Sequence, residues 1–436
     1  MSDQINVLLI GGGGREHALA WKLAQSPRLG DLWITHPTNP GLAAIAGPDR
    51  TLPVPIDLRE RRRLVHFCEK KNIALVVIGP EDPLAAGFAD ALAAPGRVVF
   101  GPGADGARLE ADKAWAKHLM RTASIPTAEA RTFTDPDAAR AYIESREVSH
   151  VIKASGLARG KGVIVPDSID EALDAIDRIM VERVFGPAGD TVIIEERLDG
   201  PEVSVFALTD GRAITILETC QDHKRLGQGD TGPNTGGMGA FCPSPLVDAQ
   251  LMQTIEREIL VPTVDALRRD GIDYRGVLYL GLMLTHAGPK VLEYNVRFGD
   301  PECQALMPRL DADLLEIMHA TAHRRLADID IAWKPGATCC VVLAAEGYPG
   351  APRKGDPIEG IDTAEAMENV HIFHAGTIRD NTGRIVTNGG RVLSVVACGK
   401  DLAEARESAY RAADAIRFEG KVVRRDIASA AVAAAT

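Results

Sequence analysis

The sequence predicts a multidomain protein that combines an α/β domain with α+β domains, and three observations support this fold class. A length of 436 residues suggests two to four domains. In roughly the first hundred residues, apolar segments alternate with helical patterns, which is typical of a parallel sheet covered by helices. From residue 331 onward, short strands with Gly and Pro turns and one helix near residues 403–417 indicate a small α+β domain.

The composition is that of an ordinary soluble protein, with 45% hydrophobic and 25% charged residues. The net charge of −11 argues against a general nucleic-acid binder. Seven cysteines are scattered without a C-x-x-C pair, which indicates reduced thiols in a reducing compartment. No basic region precedes the first apolar segment, and no segment approaches the ~20 apolar residues that span a bilayer. We therefore expect a cytoplasmic protein without a signal peptide, a membrane span or a nucleic-acid partner.

The first domain is predicted to bind its ligand at the carboxyl ends of parallel strands. These strands are predicted at residues 5–10, 32–35, 74–78 and 98–100. Three loops follow them, at residues 11–15, 37–41 and 79–83, where sheets of this kind bind ligands. Glycines before a helix N-terminus expose N–H groups to an anion, and Arg15 adds positive charge. The alternative is a tight turn with a surface arginine, and we favour anion binding.

A nicotinamide dinucleotide is the less favoured ligand of this domain. The fingerprint G-x-G-x-x-G fails, because Glu16 stands where its last glycine is required. The second strand ends at Thr35 and His36, without an acidic residue for an adenosine ribose. An oxidoreductase is therefore the minor hypothesis.

The middle of the chain carries a glycine-rich loop that suits phosphate binding. A helix predicted over residues 105–123 carries Lys113, and a strand at residues 151–153 carries Lys153. The loop at residues 154–162 returns to a strand, so it is not a Walker loop, which opens a helix. Its amides and Lys161 can close over phosphates, although glycine-rich hairpins are often only hairpins.

Two further segments complete a predicted nucleotide site. A strand at residues 192–194 enters an acidic linker that could present adenine to backbone groups, with Glu195 and Glu202 as acceptors for amine and ribose. The alternative is an acidic strand end before a turn. Residues 221–241 contain six glycines and no apolar period, and a long structureless loop in a compact domain is usually functional. We assign no acid–base role to His223.

The segment KVLEYNVRFGDPE at residues 290–302 is the most informative pattern in the chain. Its first half is predicted to be a strand, whose side chains alternate between two faces. One face carries Leu292, Tyr294, Val296 and Phe298, and the other carries Val291, Glu293, Asn295 and Arg297. Carboxylate and amide oxygens are ligands for hard cations, and an arginine can meet charge on a transferring phosphoryl group. An exposed strand face is the alternative, but the GDPE turn and the other phosphate-type loops favour a metal site.

Short motifs run through the chain in a fixed order. They are GGGGREHALAWKLAQSP, GPEDPL, VIKASGLARGKGVIV, VIIEERLDGPEVS, QDHKR, DTGPNTGGMGA, RFGDPE, GYPG, and FHAGT with VTNGGRVL. With these motifs, the chain from about residue 7 to about residue 427 resembles the phosphoribosylamine–glycine ligases. These glycinamide ribonucleotide synthetases are ATP-grasp enzymes of de novo purine synthesis. DTGPNTGGMGA and RFGDPE are the most specific of the motifs.

The resemblance implies a domain order. A Rossmann-like domain is expected over residues 1–104 and a two-lobed ATP-grasp unit over residues 105–330, with a flap lobe at about 125–192. A C-terminal domain over residues 331–427 is expected to help close the site, and residues 428–436 are expected to form a flexible tail. The expected oligomeric state is a monomer or a weak homo-oligomer.

The resemblance also implies that ATP, with Mg²⁺ or Mn²⁺, activates glycine as glycyl phosphate, which 5-phosphoribosylamine then attacks. The implied metal ligands are Glu293 and Asn295, and the implied catalytic residues are Arg297, Lys224 and Asp222. The implied ATP contacts are Lys113, Lys153, Gly160, Lys161, Gly162, Glu195, Glu196, Leu198 and Glu202. The implied substrate contacts are Gly13, Gly14, Arg15, Glu16, Gly41, Gly79, Pro80, Glu81, Asn234, Gly236, Gly237, Asp300 and Pro301.

A few positions depart from the family pattern. Ser155 stands where an aspartate is usual, and Asp112 stands where a serine is usual before Lys113. Thr38 replaces a glycine, and Arg159 replaces a small residue. Another ATP-grasp carboxylate–amine ligase is the main alternative function, because it would share the ATP and metal residues.

Overall fold

The computed structural model of the chain describes residues 4–45, 47, 49–146, 150–158 and 161–435. A parallel sheet lies at the N-terminus, two antiparallel four-stranded sheets follow, and a larger antiparallel sheet lies toward the C-terminus. This architecture has the predicted fold class. Among the described helices, none is both long and apolar enough to cross a membrane.

The N-terminal sheet is parallel, as the alternating pattern predicts. Its elements are β1 (Ile5–Ile10), α1 (Gly14–Leu23), β2 (Leu29–Ile34), α2 (Pro40–Ala44), β3 (Thr51–Pro53), α3 (Arg61–Lys70), β4 (Ile73–Ile78), α4 (Glu81–Ala85), α5 (Phe88–Leu92) and β5 (Val98–Phe100). The strand order is β3-β2-β1-β4-β5. Edge strand β3 escapes sequence prediction, because three residues are too few to show a period.

Two helices replace the single helix predicted over residues 105–123. They are α6 (Ala104–Ala111) and α7 (Lys113–Thr122). Asp112 interrupts them with non-helical backbone, and its carboxylate accepts a hydrogen bond of 3.0 Å from Trp115 N–H. This is an N-cap, which favours a new helix start at this point. Lys113 is therefore the first residue of a helix instead of lying inside one.

The smaller lobe of the middle region is a four-stranded antiparallel sheet of order β6-β9-β7-β8. Its elements are β6 (Ala130–Phe133), α8 (Pro136–Glu144), β7 (His150–Ala154), β8 (Val163–Ile164), α9 (Ile169–Ile176), a π-helical turn (Asp177–Val181), a 3₁₀ turn (Gly186–Gly189) and β9 (Val192–Glu196). This lobe has a hydrophobic core of its own, which includes Ile152, Ile176 and Ile194. This separate core makes the lobe an independent packing unit.

The larger lobe is an antiparallel sheet of order β11-β10-β16-β17. The elements from here to residue 328 are β10 (Glu202–Thr209), β11 (Ile214–Ile216), β12 (Gln221–Asp222), β13 (Arg225–Gly227), β14 (Thr231–Asn234), β15 (Gly239–Cys242), α10 (Ala249–Ile255), a π-helical turn (Glu256–Leu260), α11 (Val261–Arg269), β16 (Gly276–Thr285), β17 (Gly288–Asn295), α12 (Glu302–Leu306), α13 (Leu314–Ala322) and a 3₁₀ turn (Leu326–Asp328). Leu280 and Tyr294 share one apolar cluster with Leu8 and Val76 of the parallel sheet. The two sheets therefore have a common core.

The C-terminal sheet contains strands from two separate parts of the chain. The remaining elements are β18 (Ala337–Ala344), α14 (Ile361–Glu365), β19 (Val370–His374), β20 (Thr377–Arg379), β21 (Ile385–Thr387), β22 (Arg391–Gly399), α15 (Leu402–Ala415), β23 (Val422–Val423) and α16 (Ser429–Ala435). The sheet order is β12-β15-β18-β22-β19, with β23 also paired to β18. The glycine-rich passage at residues 221–241 is thus not the structureless loop that we predicted, because β12 and β15 belong to this sheet.

A bulge in β17 changes the predicted strand faces. Gly281 pairs with Glu293, but the next residue of β16, Leu282, pairs with Val291, so Leu292 is an extra residue. Val291 and Tyr294 are consequently both buried in the same core, although strict alternation placed them on opposite faces. The strand also ends at Asn295, before Arg297.

Buried histidines lie at the junction between the N-terminal and C-terminal sheets. His17 on α1 is 4% exposed, and its Nδ1 accepts a hydrogen bond of 2.8 Å from His374 N–H. Asn39 donates to the carbonyl oxygens of Gly12 and His374, at 2.9 Å each. Burial, with the neighbouring His374, lowers the pKa of His17 to about 3. Burial and Arg379 lower the pKa of His374 to about 4. Both imidazoles are therefore neutral at neutral pH.

We predict that this junction weakens in acid. Between pH 6.5 and about 3, His17 binds a proton in the unfolded chain but not in the folded protein. The contribution of neutral His17 to the free energy of unfolding is therefore fully present above this window, and it is lost as pH decreases through the window. The slope for one proton is ~1.4 kcal/mol per pH unit. In H17Q, glutamine keeps an acceptor but cannot titrate. Denaturant unfolding from pH 7 to pH 4.5 should therefore show a shallower loss for H17Q than for wild type.

The exposed residue His66 provides the control, because H66Q should follow the wild-type profile. Equal pH slopes for H17Q and wild type would contradict the assignment of His17.

Candidate active site

A buried carboxylate lies between two lysines at the end of strand β9. Glu195 is 2% exposed, and its Oε2 lies 2.9 Å from Lys153 Nζ. Its Oε1 lies 3.2 Å from Lys117 Nζ. Lys153 also donates to the carbonyl oxygen of Leu292, at 3.0 Å, which ties the smaller lobe to strand β17. We predicted that Glu195 contacts adenine; in this structure its carboxylate is the counterion of two lysines.

Glu293 and Asn295 lie at the end of β17 among positive charges. Burial opposes ionisation of Glu293, but Lys224, Lys153 and Lys113 outweigh it and lower the pKa of this carboxyl. Burial lowers the pKa of Lys113, while Glu293 acts in the opposite direction. An ionised carboxylate and an amide oxygen are suitable ligands for a hard cation.

The carboxylate of Glu293 and the amide oxygen of Asn295 suit a metal ion that takes its other ligands from phosphate groups. Among the described residues, no group of three or more His, Cys, Asp or Glu side chains is arranged to hold a metal ion. A site with few protein ligands is typical of Mg²⁺, which completes its coordination with substrate phosphates and water. Glu293 and Asn295 therefore fit the role that we predicted for them.

A second charged cluster joins two residues that we had assigned to different ligands. Lys224 Nζ lies 2.7 Å from Glu202 Oε2, although Glu202 was predicted to contact ATP and Lys224 to lie near the reacting groups. Burial opposes the charge of Lys224, but Glu202, Asp222 and Glu293 raise its pKa well above the usual value. Burial, with the nearby Glu302, Glu202 and Glu293 and against Lys224, raises the pKa of Asp222 to about 7. The predicted catalytic pair thus lies in one cluster with Glu293.

Arg297 is held in place by one carboxylate of helix α6 and one of the N-terminal domain. Its Nη2 lies 2.8 Å from Glu110 Oε1, and its Nε lies 3.4 Å from Glu81 Oε2. The other oxygen of Glu110 accepts a hydrogen bond of 2.9 Å from Val296 N–H. Sequence reasoning missed Glu110, because a single glutamate in an amphipathic helix carries no signal of its own. Its partner, the RFGDPE motif, lies almost 190 residues away in the chain.

The first glycine loop is occupied by a side chain of its own helix. Glu16 accepts a hydrogen bond of 2.6 Å from Gly13 N–H and lies 2.7 Å from Arg15 Nε. A Cβ atom at Gly79 would lie 2.0 Å from Glu16 Oε1. Arg15 also donates to the carbonyl oxygen of Phe298, at 3.1 Å. These glycines therefore leave room for Glu16, which is itself the anion at this helix N-terminus.

The remaining predicted substrate residues lie in several different elements and contact different neighbours. Gly14 opens α1, Pro80 precedes α4, and Asn234 ends β14 opposite Arg225. A Cβ atom at Gly41 would lie 2.2 Å from His17 Cε1, so this glycine packs against the buried junction. The segment at Gly236–Gly237 contacts the segment at Asp300–Pro301, since a Cβ atom at Gly237 would lie 2.5 Å from Pro301 Cδ.

The predicted nucleotide contacts lie on both lobes. Lys113 Nζ donates to the carbonyl oxygen of Gly156, at 3.2 Å, and Lys161 Nζ donates to that of Pro349, at 3.0 Å. Glu196 Oε1 lies 2.9 Å from Lys290 Nζ. Gly162 is buried and Leu198 is half-buried. Gly160 and Arg159 lie outside the described residues.

Two of the departures from the family pattern contact each other. Ser155 Oγ donates to Asp112 Oδ1, at 3.2 Å, and accepts from Ala114 N–H, at 3.1 Å. The carbonyl oxygen of Ser155 accepts from Lys113 N–H, at 2.9 Å. Asp112 therefore caps α7 and also binds the smaller lobe through Ser155.

Family models cover most of this chain and place its fold in a class. The model of the phosphoribosylglycinamide synthetase ATP-grasp (A) domain matches residues 111–303, the N domain residues 5–110, and the C domain residues 338–430. The biotin carboxylase domain of 2-oxoglutarate carboxylase from Hydrogenobacter thermophilus, at 16% identity, has a TM-score of 0.72. That match covers 96% of this chain and 91% of that chain. The chain is an ATP-grasp protein.

More similar proteins narrow this class to one family. The chain is 49% identical to phosphoribosylamine–glycine ligase of Rhodopirellula baltica over 99% of both chains. It is 46% identical, over 98% of its length, to the trifunctional purine biosynthetic protein adenosine-3 of Homo sapiens, of which it spans 42%. The crystal structure of phosphoribosylamine–glycine ligase from Thermotoga maritima has a TM-score of 0.81 and 34% identity, covering 97% of this chain and 100% of that chain. The chain therefore belongs to the phosphoribosylamine–glycine ligase family, and the resemblance inferred from its motifs is confirmed.

We predict that Glu293→Ala lowers turnover by at least about 100-fold, because the metal and the phosphates lose a carboxylate ligand. Steady-state ADP release at ordinary Mg²⁺ concentrations measures this effect. Glu258→Ala, at an exposed carboxylate paired with Arg257, is the matched control and should retain wild-type activity. Wild-type activity of a folded Glu293→Ala protein would exclude the metal assignment.

We also predict that Glu110→Gln lowers kcat about 10-fold, because Arg297 loses a charge-assisted hydrogen bond while Val296 N–H keeps an acceptor. A double-mutant cycle with Arg297→Ala measures the coupling. In the Arg297→Ala background, Glu110→Gln should have little further effect. Additive effects of the two substitutions would show that Glu110 acts independently of Arg297.

Proposed function

We propose that this protein ligates glycine to 5-phosphoribosylamine in two steps, with ATP as the phosphoryl donor. The family assignment supports the phosphoribosylamine–glycine ligase activity of purine biosynthesis. The observation that carries the mechanism is the placement of Glu293 among Lys113, Lys153 and Lys224. A carboxylate attacking a phosphate brings two anions together, so the site must supply positive charge.

In the first step, a glycine carboxylate oxygen attacks the γ-phosphorus of ATP, the bond to the β,γ-bridging oxygen breaks, and ADP leaves. Lys113 and Lys153 would bind the phosphates, and Arg297, held by Glu110 and Glu81, would face the charge on the transferring group. Mg²⁺ or Mn²⁺, bound by Glu293 and Asn295, would supply Lewis-acid stabilisation of the phosphate oxygens.

In the second step, the amine nitrogen attacks the carbonyl carbon of glycyl phosphate, and the bond between this carbon and the phosphate oxygen breaks. Phosphate leaves, the nitrogen loses one proton to solvent, and an amide remains. Lys224 and Asp222 would lie near the reacting groups. The predicted ATP and substrate contacts, the predicted domain order, a cytoplasmic location and a monomeric or weakly oligomeric state belong to the same proposal.

The test measures ADP release with MgATP, glycine and freshly generated phosphoribosylamine, each omitted in turn. We expect full release and glycinamide ribonucleotide formation only with all three components. Release that ignores glycine and follows another carboxylic acid would contradict the substrate assignment and leave the ATP-grasp fold in place.

A further inference from the structure

Two glycines of the passage at residues 221–241 pack tightly against other segments. Gly237 has a φ of +110°, and a Cβ atom there would lie 2.5 Å from Pro301 Cδ. A Cβ atom at Gly236 would lie 3.1 Å from Arg391 Cζ. Gly237 is therefore required for close approach to the GDPE turn, and Gly236 lets Arg391 of the C-terminal sheet lie close to the glycine-rich passage.

A single arginine joins these three segments. Arg391 is the first residue of β22. Its Nη1 donates to the carbonyl oxygens of Gly236 and Asp300, and its Nη2 lies 3.0 Å from Asp300 Oδ2. Asp300 also accepts a hydrogen bond of 2.6 Å from Gln304 Nε2. The guanidinium thus satisfies two backbone acceptors and one carboxylate at the same point, which a lysine ammonium cannot match in geometry.

Tyr348 completes the contact from the same sheet. Its hydroxyl accepts a hydrogen bond of 2.8 Å from Gly236 N–H. A Cβ atom at Gly390 would lie 2.3 Å from Tyr348 Cδ2, so the ring packs directly against the residue before Arg391. The carbonyl oxygen of the next residue, Pro349, accepts the hydrogen bond from Lys161 Nζ of the smaller lobe. The turn at Tyr348 and Pro349 therefore contacts both the smaller lobe and the glycine-rich passage.

We propose that Arg391 and Tyr348 are positioning residues that hold the segments at Gly236–Gly237 and Asp300–Pro301 in register, so that glycyl phosphate reacts with the amine instead of water. This inference rests on the proposed function. In the productive reaction, a C–N bond forms, the nitrogen loses one proton to solvent, and the bond between the carbonyl carbon and the phosphate oxygen breaks, releasing phosphate. In the competing reaction, water attacks the same carbon and returns glycine and phosphate, so ATP is consumed without an amide.

The physical reason is the narrow tolerance of the second step. Displacement of a reacting group by about 1 Å can cost about 100-fold in rate. Water needs no such positioning, so loosening the segments at Gly236–Gly237 and Asp300–Pro301, which carry predicted substrate contacts, slows attack by the amine more than it slows hydrolysis. Lys113, Lys153 and Glu293 do not contact Arg391 in the described contacts, so formation of glycyl phosphate should depend on it much less.

The test compares wild type, R391K, Y348F and R384K. R384K is the matched control, because Arg384 pairs with Asp380 on the exposed part of the same domain. ADP and amide product are measured in the same reaction, together with KM for ATP. We expect about one ADP per amide for wild type and R384K. For R391K and Y348F we expect at least about three ADP per amide, a glycine-dependent ADP release within about 3-fold of wild type, and an unchanged KM for ATP.

A one-to-one ratio in both R391K and Y348F, even at reduced rate, would overturn the proposal and leave the two residues a structural role. Equal losses of ADP release and amide formation would overturn it as well. If R391K fails to fold, as judged by thermal unfolding, Y348F decides, because it removes only one hydroxyl. Failure of wild type to form any amide would contradict the proposed function itself and is therefore distinguishable.

Discussion

The neutralisation of buried cations by buried carboxylates is the constraint on which the rest of the structure depends. Removing an isolated charge from water costs several kcal/mol, and a partner must compensate for most of it. Glu195 lies between Lys117 and Lys153, and Glu110 holds Arg297. Lys117 joins helix α7 to the smaller lobe, and Arg297 joins the segment after β17 to α6 and, through Glu81, to the N-terminal domain, so the charges also fix the relative positions of these elements. An anionic nucleotide would then meet cations that are already oriented.

Sequence reasoning predicted the elements whose pattern is local. The apolar strands of the parallel sheet, the glycine-rich turn between β7 and β8, and the polar residues Glu293 and Asn295 at the end of β17 all follow from short periods. The motifs added the family. Helix α7 begins at Lys113 because one aspartate caps it, and a one-residue capping signal is weak beside a continuous helical period.

The features that sequence reasoning missed depend on distant contacts. Glu110 becomes informative only beside Arg297, and His17 only beside His374. The bulge at Leu292 depends on the register with β16, which alternation within one strand cannot reveal. The role of a glycine also depends on distant contacts. A sequence cannot distinguish a glycine that exposes amides to a ligand from one that leaves room for a neighbouring side chain. Gly79 leaves room for Glu16, and Gly237 leaves room for Pro301.

The pairing of β15 with β18 has a consequence for how the chain is made. Gly239 lies opposite Val341, about 100 residues later in the chain. Because synthesis proceeds from the N-terminus, β15 has no strand partner on this edge until the C-terminal sheet has left the ribosome. The N-terminal domain can fold first. Until β18 is available, the glycine-rich passage keeps an unpaired strand edge, and such edges are prone to aggregation. Chains interrupted before β18 would therefore be the species that most need a chaperone.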